Sequence, residues 1–194
     1  MNNVVYANSI QRLFANAIDG LLILIPMLII SSLAFIDISI AIVAMLFSHL
    51  AYWSYSYYFH SRFGATLGKH IMGIQILSVE LRRIDNKVAF KRGMVDLVFA
   101  ITGAFFALTA IYQVEFNHFS SLTFFAREEY LASLAPEQAL VCAQLFSFWL
   151  MSEFIVMLFN KRKQATQDWF AGTVIVVKAS LNDSKQNKLI IEQC

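Results

Sequence analysis

Apolar positions in this chain come in long runs rather than in alternation. From Gly20 to Ile36 the stretch "GLLILIPMLIISSLAFI" carries no charge, and Asp19 and Asp37 bound it. A bilayer-crossing helix needs roughly 20 mostly apolar residues. Segments at about 20–36, 38–59, 97–114 and 139–160 fit that requirement. Pro26 lies inside the first, a position that membrane helices tolerate. The second ends in "YWSYSYYF", an aromatic cluster suited to a membrane interface. The fourth is interrupted by Glu153. The pattern predicts an all-α membrane fold with four transmembrane helices.

Between the runs the pattern changes. "HIMGIQILSVE" and "TVIVVKAS" are rich in β-branched residues and read as strands, with "KVAF" as a short returning strand after the turn residues of "RRIDN". Together they predict a small β-rich layer outside the membrane, although part of Lys69–Leu77 also fits an amphipathic surface helix. Between the third and fourth spans, Leu122, Phe125, Leu131 and Leu134 fit one face of an interfacial helix. Residues 179–194 read as a polar tail, and no internal repeat is visible.

Composition supports the membrane reading. Of 194 residues 58% are hydrophobic and only 14% charged, with mean hydropathy +0.60; a soluble domain has about a quarter charged residues. Cys142 and Cys194 form no disulfide framework, and the four histidines lack metal-ligand spacing. No metal or other cofactor is expected, and no nucleophile-base pair points to an enzyme. The first run has no basic cluster before it, so it reads as a retained helix rather than a cleaved signal.

Charge placement gives a direction. Fourteen of the 15 basic residues fall before the first span, between the second and third, or after the fourth; only Arg127 falls elsewhere. Basic loops stay in the cytoplasm. This predicts a plasma (inner) membrane protein with both termini and the β-rich layer cytoplasmic.

"GATLGKHIMG" superficially resembles a phosphate-binding loop. It has three residues, not four, between Gly64 and the Gly68-Lys69 pair, and His70 stands where Ser or Thr is needed. Nucleotide binding is not expected.

Charges near a bilayer need partners. Arg12 and Asp19 are seven residues apart, about 10 Å along one helix face, too far for a direct pair. Arg92 and Asp96 are spaced as an i,i+4 pair, and Asp168 follows the fourth span. These five are expected to gather at the inner membrane boundary, as either a structural ion-pair network or an ion site. Glu153 lies roughly 12 Å inside the fourth helix, where a carboxyl serves as a proton carrier or as a neutral helix-helix hydrogen bond. His49, deep in the second span, reads as a packing residue.

Three ordered motifs carry a family resemblance. "RLFANAID", "TLGKHIMGIQIL" and "QDWFAGTVIVV" resemble the motifs of the RDD family of small membrane proteins, named for one arginine and two aspartates. The resemblance implies a single membrane domain over 8–178, with Arg12, Asp19 and Asp168 as the name-giving residues. It places Gly68, Lys69 and Gly73 in a cytoplasmic element and Gly172 and Thr173 in the closing motif. Lys69 would meet lipid phosphates or a carboxylate, and the glycines would permit tight turns or close approach. Two positions depart from the family: Gln167 where His is frequent, and Asp85-Asn86 where the turn usually has Gly. Some members are linked to cation/proton antiport, whereas others act as accessory membrane proteins. The expectation is therefore a monovalent cation/proton antiporter or ion-translocating subunit using Asp19 and Asp168 with Arg12 as charge partner, and the alternative is a non-transporting accessory or scaffold protein. The partners implied are the lipid bilayer, with monovalent cations and protons under the first reading. A membrane protein partner fits the second, a homo-oligomer fits transport by so few helices, and no nucleic acid is involved.

Overall fold

A computed structural model describes residues 4–181. Four long helices dominate it: α1 (Ser9–Ser32), α2 (Ile38–Phe63), α4 (Asn86–Ile111) and α7 (Glu137–Phe159). Each is long and apolar enough to cross a membrane. Short helices α3 (Leu67–Ile71), α5 (Phe116–Ser121), α6 (Phe124–Leu134) and α8 (Thr166–Ala171) and strands β1 (Ile74–Ser78) and β2 (Thr173–Val177) complete the described elements. The long helices overrun most of the apolar segments that reveal them. α1 starts at Ser9, well before Gly20, so Arg12 and Asp19 are helical residues on one buried stripe with Ala15.

The expected sheet is present with two strands rather than three. β1 and β2 run antiparallel, Ile74 opposite Val177 and Ser78 opposite Thr173. "KVAF" does not return as a strand; it is the first turn of α4. Asp85 decides this: its Oδ1 accepts from the Val88 amide at 2.8 Å and its carbonyl from the Ala89 amide, so the Asp85-Asn86 turn starts a helix. Only an isolated bridge, Leu77 to Arg83, remains of that return. Both readings of Lys69–Leu77 hold in part: Lys69–Ile71 belongs to α3, and the strand follows from Ile74.

The chain divides into two compact units. Of the described residues, the first takes in 4–19, Tyr55–Gly93 and 150–181; the second takes in Gly20–Ser54 and Met94–Trp149. Each long helix contributes residues to both.

In the first unit the sheet is buried on both faces. Ile74, Ile76, Val174, Ile175 and Val176 are all at most 1% exposed. The Ala7 amide donates to the Ile175 carbonyl and the Val177 amide to Val5, so the N-terminal segment covers the outer edge of β2. Both strands are entered in the same way. α3 leads through Gly73 and α8 through Gly172, each with φ near +65°, a left-handed turn that lacks a steric penalty only for glycine.

The second unit is apolar. Ala34, Ala41, Ala44, Met45, Ile111 and Phe119 form its buried cluster, with Leu131 packed against it. The expected helix is α6, which holds Phe125, Leu131 and Leu134, whereas Leu122 lies before it as the C-cap of α5. Leu131 faces the core, whereas Phe125 is exposed. Large exposed side chains such as Leu21, Ile25 and Ile29 of α1 are the surface expected of a membrane helix.

Candidate functional site

The first unit buries a set of charges. Arg12, Asp19, Lys69, Arg92 and Asp168 are each at most 5% exposed, and His60 is buried with them. The two carboxylates hold separate centres.

Asp168 is the third residue of α8. Its Oδ2 reaches back to accept from the Ala165 amide at 3.2 Å, half of a capping box, because Ala165 has no side-chain oxygen for the other half. The same oxygen accepts from Arg12 Nη1 at 2.6 Å, and Oδ1 accepts from Arg92 Nε at 2.9 Å. Thr173 Oγ1 donates to Oδ1 at 3.2 Å. One carboxylate thus ties α1, α4, α8 and the start of β2. Burial by itself would raise its carboxyl pKa, but Arg92 and Arg12 outweigh burial and hold it below the ordinary value.

Asp19 has a different set of donors. Tyr55 OH donates to Oδ1 at 2.6 Å, Thr66 Oγ1 to Oδ2 at 2.5 Å, and the Gly68 amide to Oδ1 at 2.7 Å. Lys69 Nζ stands 3.9 Å from Oδ2. Asp19 therefore fixes α1 to α2 and α3. Thr66 caps α3, its Oγ1 accepting from the Lys69 amide at 3.4 Å. Gly68 is required by proximity: a Cβ there would sit 2.1 Å from the Ala15 carbonyl oxygen. Of the two partners implied for Lys69, the structure has the carboxylate, and Asn16 Oδ1 accepts from Nζ at 3.3 Å. Burial lowers the Lys69 ammonium from 10.5 to about 8, with Arg92 adding to the effect and Asp19 opposing it.

Arg12 and Asp19, too far apart to pair, indeed find different partners. Glu153 joins this unit: Gln167 Nε2 donates to its Oε2 at 2.8 Å. The glutamine that departs from the family pattern thus contacts the carboxyl that has no place in the family motifs. Asp96 does not join. It belongs to the second unit, where Trp149 Nε1 donates to it at 2.9 Å, while Arg92 turns to Asp168. His49 is also in the second unit; its Nδ1 lies 3.0 Å from the Met45 carbonyl and its ring packs on Gly103.

Three participants were not singled out from the sequence. Tyr55 was submerged in an aromatic run, where only its spacing from neighbouring rings was readable. Thr66 was legible as part of the motif but not as a carboxylate partner. His60 gave no signal: it is one of several scattered histidines, yet its Nδ1 lies 3.5 Å from Arg92 Nη1. The guanidinium can only donate, so Nδ1 is the accepting atom in this contact. Among the described residues, His60 Nε2 and Arg12 Nε and Nη2 have no hydrogen-bond partner.

Among the described residues, no group of three or more His, Cys, Asp or Glu side chains is placed to hold a metal ion. Comparison with known proteins gives one match: the model of the RDD family matches residues 6–172. No curated protein and no solved structure matches the chain.

Proposed function

The chain belongs to the RDD family of membrane proteins, and from that premise we propose that it is a non-enzymatic, non-transporting accessory or scaffold protein that binds a partner in the membrane. The observation that carries this reading is the dense hydrogen bonding of both family aspartates, with four donors on Asp168 and three on Asp19. A carboxylate has about four lone-pair positions. Asp168 accepts from Arg12, Arg92, Ala165 and Thr173, and Asp19 from Tyr55, Thr66 and Gly68 with Lys69 beside it. Both are fully buried. A monovalent cation exchanged for a proton would have to displace several of these donors at once. Buried ion pairs of this kind specify architecture: here they set α1, α2, α4 and α8 around the sheet. The basic partition supports a plasma-membrane location with the sheet and both termini cytoplasmic.

A second reading, monovalent cation/proton antiport by a homo-oligomer, is favoured by one observation. Lys69 Nζ lies 3.9 Å from Asp19 Oδ2, and burial lowers its ammonium to about 8, which would suit proton exchange beside a family carboxylate. Proteoliposomes containing only this protein separate the two. The scaffold reading expects no proton flux when sodium or potassium is added. Cation-dependent flux that disappears in Asp19→Asn or Asp168→Asn would replace it with the antiport reading.

A further inference from the structure

Beyond the charged network, the exit of α7 holds a second feature of the first unit. α7 ends at Phe159, and Asn160 turns the chain: its Oδ1 accepts from the Arg162 amide at 2.8 Å and its carbonyl from the Lys163 amide at 2.9 Å. Lys163 completes the turn with φ 52°. The turn leaves Lys161 and Arg162 exposed. α8 then brings Trp169, 72% exposed, to the same place. The result is an open groove of about 660 Å³. Its lining combines apolar Ile155 and Phe159 of α7 with Lys161, Arg162 and Trp169. Among the described residues, neither Lys161 nor Arg162 enters an ion pair.

We propose that this groove binds one anionic phospholipid, its acyl chain along Ile155 and Phe159 and its phosphate between Lys161 and Arg162. The argument is one of complementarity. Two cations that enter no ion pair among the described residues adjoin an apolar surface that continues a membrane helix, and an anionic amphiphile matches both halves. Trp169 is the side chain that favours the headgroup level, with an apolar ring and a polar N–H. Inorganic phosphate would leave the apolar side in water, and a zwitterionic lipid would bring its own cation beside Lys161 and Arg162. The inference is independent of whether the protein transports ions.

The test is lipid retention by the purified, delipidated protein in neutral detergent, followed by native mass spectrometry while phosphatidylglycerol or phosphatidylcholine is titrated in. Wild type should retain one phosphatidylglycerol in preference to phosphatidylcholine, and inorganic phosphate should not displace it. Lys161→Gln/Arg162→Gln should weaken phosphatidylglycerol about thirtyfold, from the usual contribution of a basic residue near an anionic lipid surface. It should leave the melting temperature unchanged, because both side chains are exposed. Arg82→Gln/Lys87→Gln removes the same charge elsewhere and should bind as wild type. Equal retention of the two lipids, displacement by phosphate, or full binding by Lys161→Gln/Arg162→Gln would overturn the proposal. So would equal weakening by Arg82→Gln/Lys87→Gln, which would mean a diffuse basic surface, or a dimer that forms in place of lipid binding, which would mean that a second copy covers the groove.

Discussion

The two units hold helix segments together with opposite materials. The first does so with Arg12, Asp19, Lys69, Arg92 and Asp168, all buried. The second does so with Ala34, Ala41, Ala44, Met45, Ile111 and Phe119, and with Gly103 under the His49 ring. In a bilayer, burying one apolar side chain against another gains little, because lipid tails are equally apolar. Two means of association remain: close approach through small residues, and polar bonds that have no better alternative. The second unit relies mainly on the first means, with the Trp149–Asp96 hydrogen bond also joining α7 to α4. The first unit relies mainly on polar bonds, and those bonds have direction. Asp168 accepts from particular atoms of α1, α4 and α8, so it specifies which helix stands where. Alanine contacts specify distance but tolerate sliding.

The comparison breaks most visibly at Asp168. Asp168→Asn removes the carboxylate that pairs with both Arg12 and Arg92, and should cost about 3–5 kcal/mol. The loss should be read from thermal unfolding in detergent. Adding Arg12→Gln should recover part of it, because one of these two cations is removed; strict additivity would mean that the two residues do not interact.

A smaller effect concerns Lys69. Its folded pKa, about 8, lies below the ordinary 10.5. Below pH 8 both folded and unfolded chains hold this proton, and the cost of burying the ammonium is fully present. Between about 8 and 10.5 the folded chain has released it and the unfolded chain has not, so stability rises with pH. Relative to Lys69→Met, wild type should gain about 3 kcal/mol across that window. A flat difference between the two proteins would mean that Lys69 does not titrate there.

The glycines compare the units directly. Gly68→Ala drives a Cβ to 2.1 Å from a backbone carbonyl oxygen and 2.9 Å from the Asp19 carboxylate. Neither can yield without opening the Asp19 centre, and the cost should be about 2–3 kcal/mol, near the top of the overpacking range. Gly103→Ala meets the His49 ring at 2.8 Å, but that is a side chain able to move. The higher helix propensity of alanine offsets the contact, so the net change in melting should lie below about 1 kcal/mol. Equal losses at the two positions would erase the distinction between a directional and an adjustable core.

Much of this was legible in the sequence. Apolar runs without charge have few fates other than a bilayer, so the four spans follow from composition and length. The strands at Ile74–Ser78 and Thr173–Val177 follow from dense β-branching. Arg12, Asp19 and Asp168 are conspicuous because a charge beside a membrane demands a partner. What the sequence did not determine is which partner. Arg92 has Asp96 one helical turn away, yet bonds to Asp168, 76 residues distant; local spacing offers a candidate, but only the fold brings the competing carboxylate within 2.9 Å. "KVAF" has strand-like residues, but the Asp85 cap and the apolar helix that follows recruit it into α4. Tyr55, Thr66 and His60 entered the charged centre through tertiary contact alone. Their residue types are compatible with many surroundings, and hydrogen-bond partners are chosen by three-dimensional proximity, which periodicity along a chain does not encode.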